Sequence, residues 1–186
     1  DLHSFPTRRS SDLAFYEEQK IEGRNAVLEA FRSGKTIDKL FVLDGCQDGP
    51  VRTIVREARK HDTIINFVDK ERLDQLSETK KHQGVIAVAA AYEYAEVEDI
   101  LKNAEEKWEP PFIFILDNIE DPHNLGAIIR TANLAGAHGV VIPKRRAVGL
   151  TATVAKTSAG AINYTPVAKV TNLTAAIKEL KEKGLW

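Results

Sequence analysis

One segment constrains the fold more than any other: the apolar run from Phe112 to Asp117, which a polar loop follows. Residues 112–116 are all apolar, and a strand without alternation is typical of a parallel sheet that helices cover on both faces. We therefore expect a central strand here. A helical period over residues 125–135 and a second apolar run at residues 140–143 then predict a right-handed strand–helix–strand unit.

The same alternation continues towards the end of the chain. It predicts a helix at residues 151–158, a strand at 165–170 and a helix at 173–183, with Leu185 and Trp186 beginning a further strand. A sheet of this kind does not normally finish on two residues of a strand. We therefore expect this α/β domain to be incomplete at its C-terminal side.

A separate alternation of helices and strands comes earlier in the chain. Apolar spacing predicts a helix that ends at Ser33 and Gly34, a strand at residues 39–43, a helix at 51–60, a strand at 63–68, a short helix around Leu73 and a buried strand at 85–91. This length suffices for a small α/β domain with its own core.

The domain boundaries follow from these patterns. We predict a first domain at residues 17–92, a linker at 93–110 and a second domain at 111–186. The linker carries a short amphipathic helix with Ile100, Leu101 and Ala104, the first and peripheral helix of the second domain, and ends in a double proline. Residues 1–16 mix Ser, Pro and adjacent arginines without any period, and we expect them to be a disordered or non-native tail.

Composition excludes several classes of protein. The chain has 186 residues, with 26 Lys and Arg against 27 Asp and Glu, so it is not broadly polybasic, although a local basic face remains possible. No apolar run reaches the roughly 20 residues of a membrane span, and no signal peptide is visible, so we expect a cytoplasmic protein. One cysteine and five histidines without metal-ligand spacing predict no metal site.

The loop at residues 117–124 is the strongest candidate for chemistry, because ligands bind beyond the carboxyl ends of parallel strands. Asn124 either caps the following helix or contacts a ligand there. Arg130 is either a solvated helix residue or a ligand-binding group, and its small and apolar neighbours predict that it is buried with a partner. Gly126 allows a close approach of the backbone. Lys144 to Arg146 follow the next strand and either hold a polyanion or form a solvated loop.

Other readings of these motifs are weaker. The loop has neither the Gly-Lys-Ser/Thr of a Walker A motif nor the Gly-x-Gly-x-x-Gly of a dinucleotide site. Ser158 lies in no Gly-x-Ser-x-Gly elbow, so we expect it to be a small packing residue at a helix end.

The sequence DNIEDPHNLGAIIRTA at residues 117–132 resembles the first motif of the SpoU (TrmH-type) RNA ribose 2′-O-methyltransferases of the SPOUT class, with Asn124, Gly126, Ala127 and Arg130 at the motif's positions. The sequences EGRNAV at residues 22–27 and HQGV at 82–85 resemble the start and end of the substrate-binding domain of bacterial 23S rRNA guanosine-2′-O-methyltransferases. Residues 156–161 and 170–173 are similar to the same subgroup.

The resemblance implies a fold and an activity. The fold is a small ribosomal-protein-like α/β substrate-binding domain followed by a SPOUT (α/β knot) domain with a parallel sheet. The activity is transfer of a methyl group from S-adenosylmethionine to a ribose 2′-hydroxyl of RNA, with a guanosine of large-subunit ribosomal RNA as the target. The enzyme is expected to be a homodimer.

The resemblance also implies roles for particular residues. The catalytic residues are Asn124 and Arg130, and the RNA-binding residues are Arg24, His82, Gln83, Lys144, Arg145 and Arg146. The cofactor loops and the knot of the family lie beyond the part that this chain matches. We therefore expect no cofactor-binding residue in the chain and no activity from it alone. The main alternative is a non-catalytic RNA-binding module, and a domain for another nucleotide is a distant third.

Overall fold

A computed structural model describes residues 19–186 of the chain. They form two compact units, one that ends at Ala91 and one that begins at Tyr92. We call them the N-terminal unit and the C-terminal unit and describe each by itself. The predicted tail at residues 1–16 lies outside the described residues. Between residues 19 and 186, no helix combines the length and the apolar character that crossing a bilayer requires.

The N-terminal unit is a four-stranded mixed sheet with three helices. Its elements are β1 (Lys20–Glu22), α1 (Arg24–Arg32), β2 (Ile37–Leu43), α2 (Gly49–Lys60), β3 (Ile64–Val68), α3 (Lys70–Leu76) and β4 (Val85–Ala89). The strand order is β1-β4-β2-β3, where β4 is antiparallel to both neighbours and β2 is parallel to β3. The predicted alternation is confirmed, except that β1, with three residues, is too short to show a period.

The helix α2 shows why these residues fold in this way. Asp48 caps its first turn, since one carboxylate oxygen accepts a hydrogen bond from the Val51 amide at 3.1 Å. Val51, Ile54 and Ala58 lie on one helical face and are fully buried in the core of this unit, among residues of β2 and β4.

The C-terminal unit is built on a parallel sheet. Its elements are α4 (Val97–Glu106), β5 (Ile113–Ile115), α5 (Pro122–Leu134), β6 (Gly139–Pro143), α6 (Ala152–Thr157), β7 (Val167–Val170) and α7 (Leu173–Glu182). The strand order is β5-β6-β7, and both pairings are parallel, as predicted. The carboxyl ends of the three strands therefore lie at one edge of the sheet.

The helix α4, which we predicted as a peripheral helix within the linker at residues 93–110, belongs to this unit. Ile100 is fully buried and packs with Val141 and Ala168 of the sheet. The contact is so close that a Cβ atom on Gly139 would lie 2.5 Å from the Ile100 side chain. Most of the predicted linker is therefore part of a folded core.

The strand β5 lies at the edge of the described sheet, so the prediction of a central strand is wrong for these residues. Phe112 is 46% exposed and Ile115 is 36% exposed, whereas Val140, Val141 and Ile142 of β6 are buried. An apolar run shows which faces a strand can bury, but it does not show how many strands pair with it. Leu185 and Trp186 form no regular structure here.

Candidate functional site

Two loops meet at the carboxyl edge of the parallel sheet. The Val148 amide in the loop after β6 donates to the Ile119 carbonyl in the loop after β5, at 2.9 Å. The Lys144 amide donates to the carbonyl of Val170, at the end of β7, at 2.8 Å. The ends of all three strands are thus connected at the edge where α/β sheets bind ligands.

The helix α5 begins at this edge, and Asp121 caps it. The Asp121 carboxylate accepts hydrogen bonds from the amides of His123 at 2.7 Å and Asn124 at 3.2 Å. Asn124 therefore lies in the first turn of the helix and is not its cap. Because its side chain is exposed and the capping role belongs to Asp121, the Asn124 amide is available to a ligand.

Arg130 is exposed, so the prediction that it is buried with a partner is wrong. Ala127 and Thr131 are exposed as well, and together they form the outer face of α5. Small residues suit both interiors and surfaces, which is why the sequence pattern misled. Among residues 19–186, no hydrogen bond or ion pair engages the Arg130 guanidinium.

Asn124 and Arg130 do not contact each other. They are separated by six residues of one helix, which corresponds to about 9 Å along the axis and about 240° around it. An extended ligand such as a nucleic-acid strand can contact both side chains.

Gly126 allows the close approach that we predicted, and its neighbour is the helix α6. A Cβ atom on Gly126 would lie 1.9 Å from the Thr157 hydroxyl oxygen. The Thr157 hydroxyl donates to the Thr153 carbonyl at 2.8 Å. The buried Ser158 hydroxyl donates to the Ala155 carbonyl at 2.8 Å, in agreement with a packing role.

The loop at residues 144–150 presents basic side chains beside this helix start. Arg145 and Arg146 are exposed. Lys144 is half-buried and its Nζ atom is inaccessible to solvent, which disagrees with the prediction that it contacts RNA. The far end of the loop is anchored, because the Leu150 amide donates to the Tyr94 hydroxyl at 2.9 Å. The structure therefore holds two guanidinium groups at the same sheet edge as Asn124.

The N-terminal unit brings two predicted RNA-binding residues together. The Arg24 amide donates to the Gln83 side-chain oxygen at 3.1 Å, and Arg24 Nε donates to the Gln83 carbonyl at 3.0 Å. The guanidinium also forms an ion pair with Asp48 at 2.6 Å. A groove of about 550 Å³ lies here, lined by Arg24, Asn25, Leu43, Pro50, Gln83 and Gly84.

His82 has an interior position, which disagrees with the prediction that it contacts RNA. The residue is only 7% exposed. Nδ1 accepts a hydrogen bond from the Gly84 amide at 3.0 Å, and Nε2 lies 3.0 Å from an Asp74 carboxylate oxygen. Since Nδ1 accepts, we assign the proton of the neutral ring to Nε2. Both nitrogens are used within the chain, so His82 supports the loop.

Sequence reasoning missed Glu22. Burial alone would raise the pKa of its carboxyl, but hydrogen bonds from Thr79, Ser77 and the backbone outweigh burial and lower the pKa to about 2. The partners lie 55 to 57 residues away in sequence. No local pattern could have identified them.

These features define a two-unit α/β protein with exposed arginines at the carboxyl edge of a parallel sheet, suited to an extended polyanion. A family profile described as RNA 2′-O ribose methyltransferase substrate binding matches residues 20–95, and the SpoU rRNA methylase family profile matches residues 111–186. The chain belongs to the SpoU (TrmH) family.

The chain is similar to several known proteins. The chain is 53% identical over 166 residues to a putative TrmH family tRNA/rRNA methyltransferase, YacO, from Bacillus subtilis, and it spans 66% of that protein's length. It is 46% identical over 170 residues to a Staphylococcus haemolyticus relative with the same description and covers 68% of it. An AdoMet-bound rRNA methyltransferase from Sinorhizobium meliloti aligns with 87% of this chain and 57% of its own, at 22% identity and a TM-score of 0.41.

Proposed function

We propose that the two units belong to an enzyme that methylates a ribose 2′-hydroxyl of RNA, on a guanosine of large-subunit ribosomal RNA, with S-adenosylmethionine as the methyl donor, and that the 186-residue chain is inactive by itself. The observation that carries the proposal is the exposed Arg130 on a helix that begins at the ligand-binding edge of the sheet. Membership of the SpoU family and the match to a substrate-binding domain support it.

Arg130 holds the RNA and does not remove the proton. A guanidinium stays protonated in proteins, so it cannot act as a general base. Its planar fork suits two parallel hydrogen bonds to a phosphate. We assign it to the phosphate next to the reacting ribose, whose oxygen then accepts the proton from the 2′-hydroxyl. Positioning of this kind lowers the barrier for a poorly acidic nucleophile.

Asn124 is the second catalytic residue of the proposal. Its side-chain amide both donates and accepts hydrogen bonds, and the first turn of α5 holds it at the sheet edge. Because it does not touch Arg130, we assign it to the ribose side of the same RNA strand. Arg145 and Arg146 bind the flanking phosphates, and Arg24 and Gln83 bind RNA on the N-terminal unit.

The described residues at this edge do not fit the methyl donor, which supplies a methyl group on a positively charged sulfonium. Arg130, Arg145 and Arg146 are cations, and Thr157 fills the space beside Gly126. A groove of about 520 Å³ in this unit is lined by residues of β5 and α7 and by the last residues of the chain, and not by Asn124 or Arg130. We expect no S-adenosylmethionine binding to the 186-residue chain in calorimetry; micromolar binding would contradict this.

We also propose a cytoplasmic homodimer. Leu134, the last residue of α5, is 81% exposed, and burial of such an apolar side chain favours contact with a second copy of the chain. Light scattering of the chain and of Leu134→Glu tests the dimer, since a charge at this position should leave only monomers.

A chimera tests the activity. The chain replaces the aligned 166 residues of the Bacillus subtilis relative, and transfer of tritiated methyl groups to a 23S rRNA transcript is measured. We expect alkali-resistant ribose methylation that Arg130→Lys reduces at least tenfold. Full turnover of Arg130→Lys would contradict the phosphate clamp. RNA binding without transfer would favour the alternative, a non-catalytic RNA-binding module.

A further inference from the structure

We propose that Glu22 positions the loop at residues 77–84 for RNA binding, and that Lys81 and Gln83 are the groups that this loop presents to the RNA. The inference rests on the proposed function, and it deepens that function by naming a second contact surface, on the N-terminal unit. Glu22 itself does not touch RNA in this proposal. It acts through the loop.

The Glu22 carboxylate binds the start of the loop through four donors. One oxygen accepts the Ser77 hydroxyl at 2.7 Å and the Thr79 hydroxyl at 2.5 Å. The other accepts the Glu78 amide at 2.6 Å, and the Thr79 amide lies 3.4 Å from the nearer oxygen. A carboxylate offers about four lone-pair sites, so this one is saturated within the chain.

The same hydroxyls also accept hydrogen bonds from amides further along the loop. The Ser77 hydroxyl accepts the Lys80 amide at 2.8 Å, and the Thr79 hydroxyl accepts the Lys81 amide at 3.2 Å. One carboxylate thus organises the backbone amides of residues 78–81. We call this arrangement the Glu22 clasp.

The end of the loop is held as firmly as its start. His82 is buried and bonded to Asp74 and Gly84, and the Gln83 side-chain oxygen accepts the Arg24 amide. Lys80 and Gln83 have φ values of 60° and 51°, a left-handed backbone that side chains with a Cβ rarely adopt. Such conformations persist only where the surroundings enforce them, and they concentrate at functional sites.

The ordered loop exposes two hydrogen-bond donors, on Lys81 and Gln83. Lys81 and Gln83 are exposed. Within residues 19–186, no hydrogen bond or ion pair engages the Lys81 ammonium or the Gln83 side-chain nitrogen. Because the Gln83 oxygen is already bonded, the orientation of its amide nitrogen is set. A fixed amide donor next to a lysine suits phosphate oxygens and base edges of RNA.

The carboxylates near these donors are engaged as well. Glu22 binds the loop, Asp74 binds His82, and Asp48 binds Arg24. Glu78 forms an ion pair with Lys20 at 3.3 Å. These acidic groups therefore oppose an incoming phosphate less than free carboxylates would.

The test uses the sign of the change in affinity. Glu22→Gln removes a negative charge, so simple electrostatics predicts tighter binding of a polyanion. Loss of the clasp predicts the opposite, because the amide nitrogen of Gln cannot accept hydrogen bonds from the loop amides. We expect the dissociation constant of the 186-residue chain for a 23S rRNA transcript to rise about tenfold. Glu29→Gln, at an exposed residue of α1, changes the charge equally and is the matched control.

Two further variants keep the test decisive. Thr79→Val removes the hydrogen bond from the Thr79 hydroxyl to Glu22 without changing any charge, and it should weaken RNA binding severalfold. It replaces Glu22→Gln in the test if that variant does not fold. Lys81→Ala should reduce the slope of log K against log salt by about one unit. Hydrogen exchange of amides 78–81 should accelerate in Glu22→Gln and Thr79→Val.

The outcomes separate the two proposals. If Glu22→Gln and Thr79→Val bind RNA as tightly as the wild type although their loop amides exchange faster, the positioning role of Glu22 alone is overturned. Unchanged binding by Lys81→Ala and Gln83→Ala would overturn the assignment of the donors. Failure of the wild-type chain to bind RNA would overturn the RNA-binding part of the proposed function, and this inference with it.

Discussion

The two units prepare their candidate RNA contacts in opposite ways. In the N-terminal unit, Arg24 and Gln83 bond to each other and to their surroundings before any ligand arrives. In the C-terminal unit, Asn124 and Arg130 project from one helix without touching. The first surface is set by the fold, whereas the order of the second depends on the ligand. Recognition and catalysis are therefore expected to respond differently to mutation.

One hydrogen-bonding pattern occurs in both units and shows the difference between them more clearly. Each unit contains a buried histidine whose Nδ1 accepts a backbone amide and whose Nε2 lies next to a carboxylate: His82 with Gly84 and Asp74, and His138 with Phe112 and Glu109. His82 holds the end of a loop that carries candidate RNA contacts. His138 holds the start of β5, at the sheet edge opposite the candidate site. The same bonding pattern thus supports a candidate RNA-binding loop in one unit and the start of a strand in the other.

The largest expected effect is a loss of stability on substitution of Gly126, which should affect the C-terminal unit and not the N-terminal unit. Gly126→Ala places a methyl group on the Thr157 side chain, and overpacking of this kind costs about 3 kcal/mol. Hydrogen exchange should show faster opening of α5 and α6 with the N-terminal unit unchanged. Gly49→Ala is the control, since nothing lies within 4 Å of its added Cβ. Equal exchange in Gly126→Ala and wild type would show that α5 and α6 separate easily.

The two histidines sharpen the comparison directly. His138→Phe and His82→Phe each leave a buried amide without its acceptor, at about 2 kcal/mol of unfolding free energy. Both variants should lower the stability of their own unit in urea unfolding followed by hydrogen exchange. Only His82→Phe should also weaken binding to a 23S rRNA transcript. Equal binding losses in the two variants would remove the distinction between a functional and a structural histidine.

Sequence patterns were sufficient for features that depend on neighbours in sequence. Helical and strand periods located all the described helices, although some bounds differ by a few residues, and they located every strand except β1. The position of β5 at an edge was not predictable, because an apolar run does not reveal how many strands pair with it. The exposure of Arg130 was misjudged because alanine and threonine occur on both buried and exposed faces.

The contacts of the candidate sites were harder to predict than the fold. Glu22 binds residues more than 50 positions away, and only the sheet brings them together. The partner of Gly126 is likewise 31 residues away, in α6. The spacing of Asn124 and Arg130, by contrast, puts them on different faces of one helix by helical geometry alone. Contacts between distant segments are decided by packing, which no local pattern shows.

The next largest expected effect is on the stability of the N-terminal unit at acid pH. The hydrogen bonds of Glu22 lower its pKa from 4.5 to about 2, so the unfolded chain binds the proton more tightly than the folded chain. The stabilisation is therefore fully present above pH 4.5 and is lost as the pH falls towards 2. After allowance for solvent screening we expect about 1 to 2 kcal/mol.

Urea unfolding between pH 5 and pH 2 measures this loss. Glu22→Gln should flatten the pH dependence of the N-terminal unit, and Glu29→Gln should not. In the C-terminal unit, a hydrogen bond from its own amide and one from Lys183 lower the pKa of Glu98, but this carboxylate is exposed, so its pH dependence should be weaker. An unchanged slope in Glu22→Gln would show that the clasp does not hold in solution.

The smallest effect compares single cations of the two units by the salt dependence of RNA binding. Arg145 is exposed in the basic loop, and we expect it to contact one phosphate, so Arg145→Gln should reduce the slope of log K against log salt by about one unit. Arg24→Gln should change the slope less, because its guanidinium already neutralises Asp48 at 2.6 Å. It should still raise the dissociation constant, because the bond from Arg24 Nε to the Gln83 carbonyl is lost. Filter binding to a 23S rRNA transcript from 50 to 200 mM salt resolves the two cases. Equal slopes for both variants would mean that Arg24 leaves Asp48 on binding, and that the N-terminal surface is less preset than its hydrogen bonds indicate.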